Sequence, residues 1–114
     1  MSEKYLIVGA TGSIGSNLSE KLCSSGYKVH LVGRDESQTK LLSEKLNSSY
    51  TIADVLNDGF VDNIKSAIDD IKGIAYCVGS IDLKPLRSTS ESDFNKCMKL
   101  NLYSAIELIK GYQE

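Results

Sequence analysis

The amino-acid sequence predicts an α/β fold, with a doubly wound parallel sheet of four strands in the order 3-2-1-4 and four helices. Two patterns support this prediction. Four short apolar runs lack strict alternation, as is typical of strands that are buried on both faces of a parallel sheet. The segments between these runs repeat their apolar residues with a helical period, and such alternation of strands and helices is characteristic of parallel sheets.

The first half of the chain contains two strand–helix pairs. Strands are predicted at Tyr5–Val8 and Lys28–Val32. The first helix ends near Gly26, a residue typical of helix C-termini, and Asp35 with Gln38 has the spacing of a capping box at the start of the second helix. The apolar stripes of these helices are Ile14, Leu18 and Leu22, and then Leu41, Leu42 and Leu46.

The second half repeats this pattern. Strands are predicted at Tyr50–Ile52 and Gly73–Val78, and the polar stretch from Ser80 to Ser92, which contains Pro85, is expected to be the one long loop. The last helix begins near Ser90, which has Asp93 three residues on. The apolar positions of the third helix are Phe60, Val61, Ile64, Ala67, Ile68 and Ile71, and one broad face of the last helix contains Phe94, Cys97, Met98, Asn101, Ala105, Leu108 and Ile109.

The composition is that of one globular domain. The chain has 114 residues, of which 41% are hydrophobic and 25% are charged, and its formal net charge is −2. A net negative charge gives no indication of binding to nucleic acid or to an anionic membrane surface. The apolar run near the N-terminus is too short for a signal peptide or a membrane span, so we expect a cytoplasmic protein.

The cysteines and the histidine are expected to be structural. Cys23, Cys77 and Cys97 are odd in number and have no metal-ligand spacing, which argues against a disulfide framework and against a metal site. We expect them to be small buried hydrophobic residues in a reducing compartment. His30, the one histidine, lies within a predicted strand.

Three glycines directly after the first strand predict a dinucleotide-binding loop. Gly9, Gly12 and Gly15 are spaced three apart between a strand and a helix, which is the context that such a loop requires. The three glycines would permit the tight turn, the approach of a pyrophosphate, and the close packing of the helix on the sheet, respectively. Free amide groups and the helix dipole then face the phosphates, and Thr11 and Ser13 add hydroxyl donors.

The end of the second strand favours NADP(H) over NAD(H). In NAD-binding sheets an acidic residue near this strand end binds the ribose 2′-hydroxyl, whereas here Gly33 is followed by Arg34. A guanidinium group pairs with a 2′-phosphate that a carboxylate would repel. Two alternatives stay open: Asp35 binds the ribose if the register differs by one residue, or Arg34 is a solvated surface charge.

Several landmarks now appear in order along the chain. Beside the glycine loop of residues 9–15, they are Asp54-Val55 after the third strand, Cys77-Val78-Gly79 at the end of the fourth, and the stretch LKPLRSTSESDFNKCMKLNLYSAIELI over residues 83–109. In these features the chain resembles the N-terminal half of a short-chain dehydrogenase/reductase. The resemblance extends over nearly the whole sequence.

The resemblance implies a Rossmann-like dinucleotide-binding domain over residues 1–114. It implies that the glycine loop, with Thr11, Ser13 and Ile14, binds the cofactor, that Asp54 and Val55 contact the adenine ring, and that residues 77–79 replace the family's Asn-Ala-Gly. Asn101 aligns with the helix asparagine of the family's catalytic tetrad. Val8 and Cys77 depart from the usual threonine and asparagine, and the GxxGxxG spacing is that of extended and atypical members, so the subgroup stays open.

The remainder of the family's catalytic machinery is absent from these residues. The family uses a Tyr-x-x-x-Lys pair and a serine, and none of the six tyrosines is followed by a lysine four places on. The leading interpretation is the NADP(H)-binding portion of an oxidoreductase that transfers hydride between NADP(H) and a carbonyl or alcohol, lacking the catalytic half and not catalytic by itself. The alternatives are a non-catalytic dinucleotide-binding half-domain and an orphan truncated product.

Self-association is also expected. The strand at residues 73–78 would lie at the edge of a four-stranded sheet, and unpaired edges of apolar sheets recruit another chain. The last helix is apolar on more than one side, and the resemblance places this helix at a subunit interface. A homodimer through the helix, the edge strand or both is the predicted product.

Overall fold

The computed structural model describes residues 4–78 and 90–112. Its elements, in chain order, are β1 (Lys4–Val8), α1 (Ser13–Ser24), β2 (Lys28–Gly33), α2 (Glu36–Leu46), β3 (Ser49–Ile52), α3 (Phe60–Ala67), β4 (Gly73–Tyr76), α4 (Glu91–Met98), a π-helical segment (Lys99–Tyr103) and α5 (Ser104–Tyr112). The loop predicted around Pro85 falls mostly outside the described residues, since only residues 90–92 of it are described.

The four strands form one parallel sheet in the order β3-β2-β1-β4, as predicted. The central strand β1 pairs with β2 on one side and with β4 on the other, and Val8 lies opposite both Val32 and Tyr76. Because β2 and β4 lie on opposite sides of β1, the connections that follow β1 and β4 diverge. This divergence creates a crevice at the carboxyl ends of the strands.

Both faces of the sheet are covered. Leu6 and Val8 of β1 pack in a cluster with Ile64 of α3 and Leu108 of α5. Ile7, which points to the opposite face, packs in a second cluster with the help of α1 and α2 side chains. This two-layered covering confirms the doubly wound arrangement.

The apolar stripes predicted for α1 and α2 are only partly buried. Ile14 is 73% exposed and Leu41 is 68% exposed. The fully buried positions on these helices include hydroxyl residues instead: Ser19 donates to the Gly15 carbonyl at 2.7 Å, and Thr39 donates to the Asp35 carbonyl at 2.7 Å. A small side chain whose hydroxyl donates to a carbonyl of the same helical turn can be buried without an unpaired polar group. The helix then packs closely on the sheet, and the larger apolar side chains lie farther from the sheet.

Two predicted elements are too long. The third helix ends at Ala67, because Ile68 adopts an extended backbone conformation with φ of −149° and ψ of 115°. Ala67 is therefore exposed, while Ile68 remains in the core. The fourth strand ends at Tyr76, two residues before the predicted end.

The face predicted for the last helix is wrong over most of its length. Of the predicted positions whose side chains the structure describes, only Leu108 is fully buried, and it shares its side of the helix with Ser104. A turn of π-helix changes the register at this point, so that a constant period of 3.6 residues cannot identify one face throughout. Exposed positions are Cys97, Met98, Asn101 and Ile109, whereas Ala105 is half-buried and the Phe94 side chain lies outside the described residues.

The structure contains both of the predicted helix caps. Asp35 accepts a hydrogen bond from the Gln38 amide at 3.0 Å at the start of α2. Ser90 and Asp93 form a reciprocal capping box at the start of α4, in which each side chain accepts from the other's amide, at 3.1 and 2.9 Å. Within residues 4–78 and 90–112, no helix has the length and apolar character needed to cross a bilayer.

Candidate functional site

A cleft of about 390 Å³ lies at the carboxyl ends of all four strands. This position is where open α/β sheets bind their ligands. The described residues that line it are Val8, Gly9, Thr11, Gly12, Val32, Gly33, Arg34, Ala53, Asp54, Val55, Leu56, Cys77, Val78, Lys96 and Leu100.

Gly9 forms the turn by which the chain leaves β1. Its φ of +81° lies in the left-handed region, and a Cβ atom there would lie 2.8 Å from Val78 Cγ2 and 2.9 Å from the Cys77 carbonyl carbon. The amides of Gly9 and Ala10 both donate to the Val32 carbonyl, at 2.9 and 3.2 Å. The turn is therefore held between β2 and β4, and only glycine fits it.

Gly12 and Gly15 differ in what surrounds them. A Cβ atom on Gly15 would collide with the Gly9 carbonyl oxygen, so this glycine allows α1 to pack against the turn. Of the atoms in the described part of the chain, a Cβ atom on Gly12 would meet only that same oxygen, at 3.6 Å, which is ordinary contact. The protein itself does not require glycine for space at position 12, which leaves room for a bound group.

The N-terminus of α1 opens without a capping side chain. Gly12 is the N-cap residue, no side chain within residues 4–78 and 90–112 accepts a hydrogen bond there, and the first turn contains no acidic residue. The first amides of a helix are donors without intrahelical partners, and the helix dipole is positive at this end. Thr11 lines the cleft beside them, whereas Ser13 and Ile14 are exposed and are not among its lining residues.

Gly33 and Arg34 lie at the end of β2. A Cβ atom on Gly33 would collide with Thr39 Oγ1, whose hydroxyl is bonded to the Asp35 carbonyl. A side chain at position 33 therefore requires Thr39 or α2 to shift. Arg34 lines the cleft and is exposed. Asp35 serves as the cap of α2 through Oδ1, and it is not among the described lining residues.

Asp54 and Val55 form the opposite wall, after β3. Asp54 Oδ1 accepts a hydrogen bond from the Leu56 amide at 2.9 Å, and the Asp54 carbonyl accepts from the Asn57 amide at 3.0 Å. The Val55 side chain is buried, and its carbonyl accepts a hydrogen bond from Ser104 Oγ at 2.7 Å. These bonds give the loop a defined conformation at the edge of the cleft.

Cys77 and Val78 line the cleft after β4, and Gly79 lies outside the described residues. Burial raises the pKa of the Cys77 thiol, which keeps it in the neutral form. The Cys77 amide donates to the Val8 carbonyl at 2.7 Å, so this segment continues the pairing of β4 with β1.

Asn101 is not among the described lining residues of the cleft. It lies in the π-helical segment with an exposed side chain, and its Nδ2 donates to the carbonyl of Cys97 at 3.0 Å and to Cys97 Sγ at 3.3 Å.

Sequence reasoning missed two contributions from the last helix. Lys96 and Leu100 reach the cleft from α4 and the π-helical segment. Their spacing of four residues is that of one helix face, which is the signal that could have found them. That signal was obscured, because the apolar residues of this helix do not follow one period.

His30 lies away from the cleft, in the interior of β2. Its ring nitrogens lie 2.7 Å from Ser49 Oγ and 2.7 Å from Thr51 Oγ1. Burial, and then the nearby charge of Lys4, lower the pKa of His30 from 6.5 to about 4. Among the described residues, no group of three or more His, Cys, Asp or Glu side chains could hold a metal ion.

Comparison with known sequences gives a consistent set of similar proteins. A family model described as short chain dehydrogenase matches residues 3–113. The 3-oxoacyl-[acyl-carrier-protein] reductase FabG of Rickettsia typhi is 33% identical over 100 residues, which are 85% of this chain and 41% of the reductase. A 7beta-hydroxysteroid dehydrogenase of Mediterraneibacter gnavus is 39% identical over 56 residues, 46% of this chain and 21% of that enzyme. The chain thus spans less than half the length of these curated relatives.

Solved structures share the fold. A short chain dehydrogenase/reductase family protein superposes with a TM-score of 0.90 at 16% identity, over 97% of this chain and 48% of its own. The closed form of serine dehydrogenase, solved in complex with NADP+, superposes with a TM-score of 0.85 at 19% identity, over 95% of this chain and 46% of its own.

Proposed function

Since the chain belongs to the short-chain dehydrogenase family, we propose that it is the dinucleotide-binding portion of an oxidoreductase that prefers NADP(H). The family binds nicotinamide dinucleotide cofactors. The observation that carries the proposal is the cleft at the carboxyl ends of the strands, into which the uncapped N-terminus of α1 opens beside Gly9 and Gly12. An anionic pyrophosphate is the ligand that this arrangement of free amides suits.

The residues present fit such a cofactor. The amides of the first turn of α1 and the Thr11 hydroxyl would hold the pyrophosphate, and the open space at Gly12 accommodates it. Asp54 and Val55 would contact the adenine ring, and Cys77 and Val78 would lie toward the nicotinamide end. When bound, the nicotinamide ring supplies the hydride that such enzymes transfer. This chain's own residues bind and orient the dinucleotide.

The preference for NADP(H) is proposed from two features of the β2 end. Arg34 offers a guanidinium group at the cleft, and the packing of Thr39 disfavours a carboxylate at position 33. Asp35 is already the cap of α2, which disfavours its use for a ribose hydroxyl. The complex of serine dehydrogenase with NADP+ provides a precedent for this cofactor on the same fold.

Isothermal titration calorimetry tests this proposal with NADPH and NADH. We expect NADPH to bind at least about tenfold more tightly, the size of one charge-assisted contact, and Arg34→Glu to abolish the preference. Lys110→Glu, the same charge reversal at an exposed residue of α5, is the matched control and should keep the preference for NADPH. Equal or tighter binding of NADH by the parent protein would contradict the NADP(H) assignment.

The second part of the proposal is that the 114-residue chain by itself does not turn over substrate. Its tyrosines have no lysine at the fourth following position, so the acid–base pair of the family is not supplied by this chain. NADPH oxidation would be followed at 340 nm with simple ketones and aldehydes. A carbonyl-dependent rate that disappears in a Gly12→Val variant would contradict this part.

The third part is that the chain self-associates as a homodimer. Five large hydrophobic side chains remain 39–52% exposed on the last helix, namely Met98, Leu102, Tyr103, Ile106 and Ile109. Apolar side chains grouped on one element in this way are typical of an interface rather than of a monomer surface. A two-fold symmetric pairing of this helix would cover them.

A further inference from the structure

The π-helical segment breaks the regular hydrogen bonding of the last helix. The Ser104 amide donates to the Lys99 carbonyl, five residues back. In an α-helix the same amide would donate to the Leu100 carbonyl. That carbonyl instead accepts a hydrogen bond from the Tyr76 phenol of β4, at 2.5 Å. The irregular turn is thus joined to the strand that leads into the cleft, and π-helical turns are frequently found at functional sites.

A second buried hydroxyl joins the same turn to the other wall of the cleft. Ser104 is 1% exposed, and its Oγ donates to the Val55 carbonyl at 2.7 Å. The hydroxyls of Ser104 and Tyr76 thus donate to the backbone carbonyls of Val55 and Leu100, respectively.

Both of those carbonyls belong to residues that line the cleft. A buried carbonyl that loses its donor must find another partner or move, at a cost comparable to one lost hydrogen bond. The orientation of Val55 and Leu100 toward the cleft is therefore tied to the two hydroxyls, although neither Ser104 nor Tyr76 is among the described lining residues.

We propose that Ser104 and Tyr76 are positioning residues for the adenosine end of the cofactor, which they act on through Val55 and Leu100. The inference rests on the proposed function for its ligand. The π-helical turn allows this arrangement. It places the Ser104 hydroxyl at the loop after β3, and it leaves the Leu100 carbonyl available to the Tyr76 phenol. Substitution of either hydroxyl should loosen the cleft wall without removing any group that contacts the cofactor.

The test compares two variants with two matched controls. Ser104→Ala and Tyr76→Phe each remove one positioning hydroxyl. Ser43→Ala removes a buried serine hydroxyl that bonds only to its own helix, at the Lys40 carbonyl, and Tyr112→Phe removes a phenol that donates to the Ile68 carbonyl, away from the cleft. Binding of NADPH and of adenosine 2′,5′-bisphosphate is measured by calorimetry, and amide hydrogen exchange is measured on the same proteins.

We expect Ser104→Ala and Tyr76→Phe to weaken both ligands by about five- to tenfold, the effect of one buried hydrogen bond, while both controls bind like the parent. Exchange at the amides of Leu56 and Asn57 should be about tenfold faster in Ser104→Ala than in Ser43→Ala. Equal affinities among all four variants, or equal exchange at these amides, would overturn the positioning role. If the parent binds no dinucleotide, the proposed function fails, and the exchange comparison still decides whether Ser104 holds the loop. Should Ser104→Ala not fold, the Tyr76→Phe and Tyr112→Phe pair decides.

Discussion

His30 is 3% exposed, and its surroundings determine its protonation state. Lys4 Nζ donates to Ser49 Oγ at 2.9 Å, so the serine proton is free to donate to His30 Nδ1. The neutral ring then carries its proton on Nε2 and donates it to Thr51. A charged ring would need two acceptors, and the Ser49 oxygen would have to accept from both the ring and the lysine ammonium. The structural role predicted for this histidine agrees with these contacts.

The free energy of unfolding is expected to fall as the pH decreases from 7 to 5. The pKa of His30 is about 4 in the folded protein and 6.5 ordinarily, so the unfolded chain binds more protons between these values. The stability contributed by the neutral ring is complete above pH 6.5 and is lost toward pH 4, which amounts to about 2 kcal/mol between pH 7 and 5. Urea titrations at both pH values measure it. In His30→Gln the pH difference should shrink, and an unchanged difference would contradict the prediction.

Gly12 separates binding from folding, whereas Gly15 does not. Gly12→Ala should fold like the parent, because its Cβ atom would have only an ordinary contact, but should weaken NADPH binding by about tenfold or more through contact with the pyrophosphate. Gly15→Ala should lower the thermal midpoint, because its Cβ atom would collide with the Gly9 carbonyl. Calorimetric titration and thermal unfolding provide the two measurements. Parent-like NADPH affinity in Gly12→Ala would remove the assignment of the pyrophosphate to this loop.

The last helix is held by local hydrogen bonds at its start and by contacts with the rest of the chain near its end. Its two ends are held by different means: the capping box of Ser90 and Asp93 at the start, and near the C-terminus the Tyr112 phenol, which donates to the Ile68 carbonyl at 2.6 Å. Lys65 reaches the Gly111 carbonyl at 2.7 Å from α3. Between the ends, the π-helical turn meets the cleft. The helix is thus fastened to the core at several points rather than along one apolar stripe.

Ser90→Ala should destabilise the protein by about 1 kcal/mol, since it removes the acceptor for the Asp93 amide at the start of α4. Ser92→Ala, a neighbouring exposed serine in the first turn, is the control and should leave stability nearly unchanged. Chemical denaturation monitored by circular dichroism measures both. Equal midpoints for the two variants would show that the capping box contributes nothing measurable.

For the whole molecule, the sheet and the last helix both leave apolar groups without a partner among the described residues. β4 is an edge strand of the sheet within residues 4–78 and 90–112, and its four residues are half-buried. The exposed hydrophobic side chains of the last helix lie on the element that follows. An uncovered edge and an apolar helix surface both promote association.

Sedimentation equilibrium should therefore detect a dimer whose dissociation constant rises by about tenfold or more in Leu102→Glu, because a buried charge in an apolar interface is unfavourable. Leu41→Glu is the matched control: Leu41 is 68% exposed on α2, whereas Leu102 is 44% exposed on the last helix. The control should dimerise like the parent. A monomeric parent protein at high concentration, or equal losses in both variants, would refute the helix-mediated dimer.

The sequence by itself determined the strand order and the loop of three glycines that follows the first strand. The strands and helices follow from local patterns, namely apolar runs of strand length and helical periods. The glycine loop follows from residues such as Gly9, whose backbone conformation few other residues adopt. Only the tertiary structure decided which residues complete the cleft walls. Ser104 and Val55 are 49 residues apart, and Gly33 must be glycine because Thr39 occupies the space of its side chain. Such contacts join particular residues that are far apart in the sequence. A periodic pattern shows which face of an element is buried, but it does not show which residues meet across two elements.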